Sequence, residues 1–256
     1  MSTSKGPVTE QTYDDWIQFT NHLSYFADDM GFIFRGHHNS DWKLETSLDR
    51  TLLRIKPAGI DLGSTYNFVL DMFAKNLRGR TSINKNIETN ADELWSLGQH
   101  YGLATPLLDW SRSIFVALFF AFESHLPSPS GFRSIWAFHT GSEIRDRIGK
   151  YNESKSEEDQ FRLIDPISDW NPRLVSQSGL FTKQPIFFNF IDWVKINLED
   201  DAPYLIKLSI PDSHRLEILR YLRLMNIHHG TLFPNEDGAA KHCNMMLELL
   251  NSRLNI

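Results

Sequence analysis

The sequence predicts an α+β fold, a single domain with a mixed β-sheet flanked by helices. Three observations predict it. Apolar residues make up 41% of the 256, with 18 Phe and 7 Trp, enough to bury a sizeable core. Short strand-like runs are interspersed with helical stretches: FIF at Phe32–Phe34, TPLLDW at Thr105–Trp110, the alternating Phe132–Phe138 and YLIKLSI at Tyr204–Ile210. Finally, SRSIFVALFFAF, Ser111–Phe122, reads as a helix with almost no polar face. Such a helix must be buried on most of its surface, which makes it the expected central helix of the core, fed by the TPLLDW strand.

In chain order, residues 1–11 read as a loose tail. Thr12–Asp29 reads as an amphipathic helix, with Trp16, Phe19, His22, Leu23 and Phe26 on one stripe and Gly31 stopping it. The expected division is a tail and helix over 1–30 and the main domain over 31–256. Leu44–Arg54 starts a helix that puts Arg50 and Arg54 on one face, and Gly63–Arg80 forms another. A polar linker around Lys85 leads to a short helix, Asp92–Tyr101, with Trp95 in the core and Gly102 as its cap. Ser111 is the expected N-cap of the central helix. LPSPSG at Leu126–Gly131 is a turn. A polar surface insertion is expected near 141–165, with Ile144–Asp159 as a charged excursion. NPRLVSQSGLFTKQP reads as an irregular loop with Gly179 at a tight turn. Asp212 or Ser213 caps a helix through Met225, Thr231–Phe233 reads as a last short strand, and Asn235–Gly238 opens the closing helix.

Net charge is −6 and the pI is near 5.9, so no bulk attraction to nucleic acid or anionic membrane is expected. The one cysteine, Cys243, excludes an internal disulfide and a multi-Cys zinc site, and fits a reducing cytoplasm. No apolar run reaches the roughly 18–20 residues of a membrane span, and the N-terminus lacks a signal-peptide core. The expected location is therefore the cytoplasm. Walker, GxGxxG, GxSxG, HExxH and CxxC motifs are absent.

Chemistry-bearing residues gather at strand ends. Arg35 closes a buried strand, where a charge needs either an acidic partner or an anionic ligand. Gly36 removes bulk where a backbone or a ligand must approach. His37 and His38 are paired but lack neighbouring ligands at metal spacing, so no metal is expected. Asp109 and Trp110 meet a helix N-terminus, and Asp109 is read equally as a site acid or as a partner of turn amides. Gln177 is suited either to a base or ribose edge or to a backbone group.

The segments IFRGH, ETSLDR, QHYGLATPLLDWSRSIFVALFFAF, RLVSQSGLFT and HGTLFPNEDGAAKHC follow one another in order. Together they resemble the FRG-domain family, named for its aromatic-Arg-Gly motif, from about Phe32 to Cys243. Two positions depart from the family pattern: His37 stands where Gln is usual, and Pro106 where Arg is usual. The resemblance implies a bacterial mobile-element or phage-defence setting, and hence a toxin or antiviral effector.

The order of strand-end polar groups is also similar in outline to ADP-ribosyltransferases. That likeness implies NAD as substrate. Arg35 would hold its pyrophosphate, and Tyr101 or Trp110 would stack on the nicotinamide. Thr105 or Ser111 would steady the Arg35 region. Glu236 would stabilise the ribosyl oxocarbenium ion, with Asp109 the competitor for that role. Arg50, His100, Arg173 and Gln177 complete the expected cleft. The expected partners are a small-molecule nucleotide and an acceptor, protein or nucleic acid. Two further readings stay open: a phosphodiesterase or nuclease with His100 as general acid-base and Arg35 and Arg50 on phosphate, and a non-enzymatic module sensing a ligand or a phage protein.

Overall fold

The computed structural model describes residues 6–55, 61–80, 90–166, 171–198 and 202–251. In chain order these form β1 (Val8–Thr12), α1 (Trp16–His22), α2 (Ser24–Ala27), β2 (Phe32–His37), α3 (Ser47–Ile55), α4 (Leu62–Leu77) and α5 (Ala91–His100). There follow β3 (Leu107–Ser111), α6 (Ile114–Phe122), β4 (Phe132–His139), α7 (Ser142–Asn152), β5 (Arg162–Ile164), α8 (Pro172–Ser176), β6 (Gly179–Lys183) and α9 (Phe190–Asn197). The chain closes with β7 (Leu205–Pro211), α10 (Arg215–Leu224), α11 (His229–Leu232) and α12 (Glu236–Asn251).

The described strands make one seven-stranded sheet in the order β1-β7-β4-β2-β3-β6-β5. Only β1 and β7 run parallel, so the sheet is mixed, as the sequence predicts. Side chains alternate across it. Phe32, Phe34, Ile135, Ala137, Ile206, Leu208 and Ile210 face a core shared with α1, α6, α10 and α12. Ile33, Leu108, Trp110, Trp136, Phe138 and Leu205 face a second core, filled by Ile144 and Ile148 of α7 and by Phe190, Trp193 and Val194 of α9. The sheet is thus covered on both sides.

Helix α6 is the centre of the first core, and Leu118, Phe119, Ala121 and Phe122 are fully buried. It lies directly on β2 at Gly36, where a Cβ would stand 2.0 Å from Ala117 O and 2.7 Å from Ala121 N. The glycine makes room for a backbone, one of the two uses the sequence leaves open. The N-cap is Ser113, whose Oγ accepts from Val116 N at 3.4 Å, and not Ser111, which is the last residue of β3. At the other end, three carbonyls that lack intrahelical partners meet two arginines. Fully buried Arg133 donates to Ala121 O at 2.9 Å, and Arg215 donates to Phe122 O at 3.0 Å and Glu123 O at 2.9 Å.

Several expectations change. Val8–Thr12, in the expected tail, is an edge strand held by β7, and the helix starts only at Trp16, where the Asp15 carboxylate accepts from Gln18 N at 2.8 Å. The charged stretch after Gly141 is helix α7, tied to the second core by Ile144 and Ile148. The NPRLVSQSGLFTKQP stretch holds α8, capped by Asn171, then β6; the left-handed residue between them is Ser178 (φ 46), not Gly179. The expected strand at Thr231–Phe233 is largely helix α11. Residues 81–89 of the expected polar linker, Lys85 included, lie outside the described residues. No described helix is long and apolar enough to cross a membrane.

Gly36→Ala is expected to destabilise the fold by about 2–3 kcal/mol, because α6 must lift off β2 to admit a methyl group. Urea unfolding of the variant checks this, and an unchanged midpoint would contradict the close approach.

Candidate functional site

Strands β2 and β3 pair at a single position, Phe34 with Ser111. Beyond it the guanidinium of Arg35 stands in place of a backbone ladder. Its Nη1 donates to Asp109 O at 2.8 Å and lies 3.6 Å from the Asp109 carboxylate, and its Nε donates to His37 Nε2 at 3.1 Å. Only 18% of the Arg35 side chain is exposed, against 58% for Asp109. Burial lowers the Arg35 pKa and the Asp109 charge opposes the shift; an arginine in this setting stays protonated. The charge expected at a strand end lies within β2, which runs on to His37, and it has found an acid partner that faces solvent.

A second set of bonds fixes Asp109 from the helix α5 side. Gln99 Nε2 donates to Asp109 Oδ2 at 2.8 Å, and Thr105 Oγ1 donates to Gln99 Oε1. Thr105 is fully buried, and its backbone N–H donates to Ser47 Oγ at 2.9 Å. A chain of polar contacts thus runs from Thr105 through Gln99 and Asp109 to Arg35 and His37.

The middle members of this chain of contacts, Gln99, Asp109 and Arg35, form the floor of a cleft of about 460 Å³. Of the residues singled out in the sequence, Arg35, His100, Asp109, Trp110, Ser111, Arg173 and Gln177 line it. Arg50, Tyr101, Thr105 and Glu236 do not. Arg50 donates to Glu45 O at 2.6 Å. Tyr101 is 65% exposed at the C-cap of α5 and packs its edge on His100. Glu236 opens α12 on its exposed side, and the neighbouring Asp237 lines the cleft in its stead. Trp110 offers no free face for stacking: it is walled by Phe138 and Phe190, and its indole N–H donates to Thr182 Oγ1 at 3.0 Å. Ser111 Oγ donates to Gln177 O at 2.7 Å, and Gln177 Nε2 donates to Leu232 O at 3.1 Å, so Gln177 satisfies backbone and ties α8 to α11.

The cleft also contains Glu123, Phe233 and Lys241, which the sequence does not single out, and Asp237, which the sequence offers beside Glu236. Glu123 follows α6 and pairs with His229, Nε2 to Oε2 at 3.0 Å. His229 is wedged against Phe119 and Phe233. Phe233 carries the Arg173 guanidinium 4.4 Å from its ring centre, with Lys241 at 5.7 Å. Lys241 in turn pairs with Asp237 at 2.9 Å. Apart from the i,i+4 pairs His229–Phe233 and Asp237–Lys241, these contacts join separate elements, α6, α8, α11 and α12, so no local spacing could signal them. His100 has its pKa lowered by burial and then by the Arg173 charge, which favours a neutral imidazole near pH 7. Among the described residues no three His, Cys, Asp or Glu side chains are grouped to hold a metal ion.

His37 carries a pH dependence. It is 4% exposed, and burial first, with the Arg35 charge second, pushes its pKa down to about 3. The folded protein keeps the ring neutral, while the unfolded chain takes up a proton near the ordinary value of 6.5. Stability is therefore complete above that value and falls with pH below it, by roughly 1.4 kcal/mol per unit. Between pH 6.5 and 5, where carboxylates still contribute little, a loss of about 2 kcal/mol is expected from this residue. His37→Gln, whose amide oxygen can still accept from Arg35, is expected to flatten that slope in urea unfolding at the two pH values.

A scan against protein-family models matches residues 30–129 to the family described as FRG domain. A search of the curated proteins gave no match, and a search of the solved structures gave none. The matched stretch includes β2, α5, β3 and α6 and so carries Arg35, Gln99, His100, Asp109 and Glu123. The wall built by Arg173, Gln177, Phe233, Asp237 and Lys241 falls beyond it. The floor of the cleft thus lies within the stretch, residues 30–129, that matches the FRG-domain model.

Proposed function

We propose that the cleft binds a nicotinamide dinucleotide and cleaves its N-glycosidic bond, as an ADP-ribosyltransferase or an NAD glycohydrolase acting as a toxin or phage-defence effector. One observation carries the reading. The Asp109 carboxylate is exposed to the cleft and held between Gln99 at 2.8 Å and Arg35 at 3.6 Å. In the proposed step the bond between the ribose carbon and the nicotinamide nitrogen breaks, and its electron pair leaves with neutral nicotinamide. The ribosyl cation so formed is stabilised by a fixed carboxylate more than the ground state is. Water or an acceptor hydroxyl then attacks that carbon and gives up its proton. Asp109 takes the role for which Glu236 was the first candidate, since Glu236 does not line the cleft. Arg35 and Gln99 hold its geometry.

A second reading has its own support. His100 lines the cleft, is kept neutral and lies within the field of Arg173, which suits general-base attack on a phosphodiester.

Purified protein incubated with NAD is expected to release free nicotinamide, measured by chromatography with and without cell lysate. Asp109→Asn is expected to slow release about 100-fold while leaving the fold intact. Stimulation by lysate separates transfer from hydrolysis. No release under either condition, together with loss of phosphodiester cleavage in His100→Ala, would move the assignment to the second reading.

A further inference from the structure

The three cations of the cleft are not equivalent. Arg35 is engaged on two edges, by Asp109 O at 2.8 Å and by His37 Nε2 at 3.1 Å, and it faces the Asp109 carboxylate as well. Lys241 is neutralised by Asp237 at 2.9 Å. Arg173 is different. Among the described residues it forms no ion pair with a carboxylate, and its recorded side-chain contact is the stack on Phe233 at 4.4 Å.

Stacking covers a face of the guanidinium and leaves its N–H edge, which is the part that meets a planar pair of oxygens. Phe233 is 7% exposed and held against His229, so the platform under Arg173 is fixed. A partly buried guanidinium with no carboxylate partner among the described residues gains most from an anion, because pairing then offsets a desolvation already incurred. Lys241, 5.7 Å from the centre of the same ring, is held there with its charge paired to Asp237, so Arg173 is the cation on this platform whose charge is open to a ligand. His100 lies within the field of Arg173, which puts the floor of the cleft and this wall within electrostatic reach of each other.

We infer that Arg173, seated on Phe233, is the phosphate-binding residue of the cleft, and that its ligand is the diphosphate group of a nucleotide. The nucleotide class rests on the dinucleotide reading above; the anion site rests on the geometry of Arg173 itself. Arg35 then acts to position Asp109 and does not carry the pyrophosphate.

The test is isothermal titration with ADP and with inorganic pyrophosphate, using wild type, Arg173→Gln, Arg173→Lys and Arg35→Lys. ADP and pyrophosphate are expected to bind wild type and to weaken as salt is raised. Arg173→Gln should weaken both at least about tenfold, the low end for a lost charge-assisted pair. Arg173→Lys should weaken them less, and Arg35→Lys should leave them within about twofold. Thermal melts of each variant establish that it is folded. Wild type that binds neither probe, or Arg173→Gln that binds ADP like wild type, overturns the inference. Nicotinamide release separates it from the reading it rests on. Arg173-dependent ADP binding without any release supports the phosphate site and removes the glycosidic chemistry. Release with an unchanged KM for NAD in Arg173→Gln removes the phosphate site and keeps the chemistry.

Discussion

The seat of α6 on β2 at Gly36 is the constraint on which the other layers depend. The helix backbone approaches to where a side chain at this residue would overlap Ala117 O. That proximity lets Phe119 and Phe122 disappear into the core beside Ile135, Ala137, Ile206 and Leu208. It also fixes both ends of the helix relative to the sheet. The N-terminal end is delivered by β3, with Asp109 and Ser111 seven and five residues before Val116, through the tight Ser111–Ser113 turn, in which Ser113 N–H donates to Ser111 Oγ at 3.0 Å. The C-terminal end places Glu123 on the cleft wall.

Buried cations complete this arrangement. A helix as apolar as α6 has no side chains of its own to satisfy its last carbonyls. Arg133 from β4 and Arg215 from α10 supply the donors, and Arg133 is balanced by Asp212 and Arg215 by Glu248. Arg35 serves the same end at the sheet. Where β2 and β3 part, its guanidinium donates to Asp109 O, a carbonyl that the strand pairing would otherwise have engaged. Each arginine stabilises backbone first. For Arg35 the consequence reaches the cleft, because the same guanidinium lies 3.6 Å from the carboxylate beside it.

The cleft has two parts of different origin. Its floor, from β2, α5 and β3, lies within the stretch that matches the FRG-domain model and is made of residues bonded to one another. Its far wall, from α8, α11 and α12, lies beyond that stretch and rests on Phe233. A restrained acid stands on one side, and on the other a guanidinium that has no acid partner among the described residues. The proposed dinucleotide substrate rests on that separation of charge.

The sequence by itself determined the mixed α+β class, the central apolar helix and a strand at Phe32 leading into Arg35-Gly36, which β2 extends to His37. Each is written in local terms: period-two runs, a helix without a polar face, a charge next to a glycine. Tertiary structure alone decided what those residues meet. Val8–Thr12 becomes a strand because β7 offers an open edge. The polar stretch after Gly141 becomes helix because Ile144 and Ile148, four apart, find Phe161 and Trp193. His229–Leu232 is helical although a short strand was expected, since the His228 and Thr231 side chains cap the turn. Arg173, Phe233 and Glu123 with His229 come together from segments separated by up to 110 positions or so along the chain, and Glu236 turns away by one helical step while Asp237 turns in. Hydrophobic periodicity records which face is buried. It carries no record of which distant side chain lies opposite, and the cleft is made of such pairs.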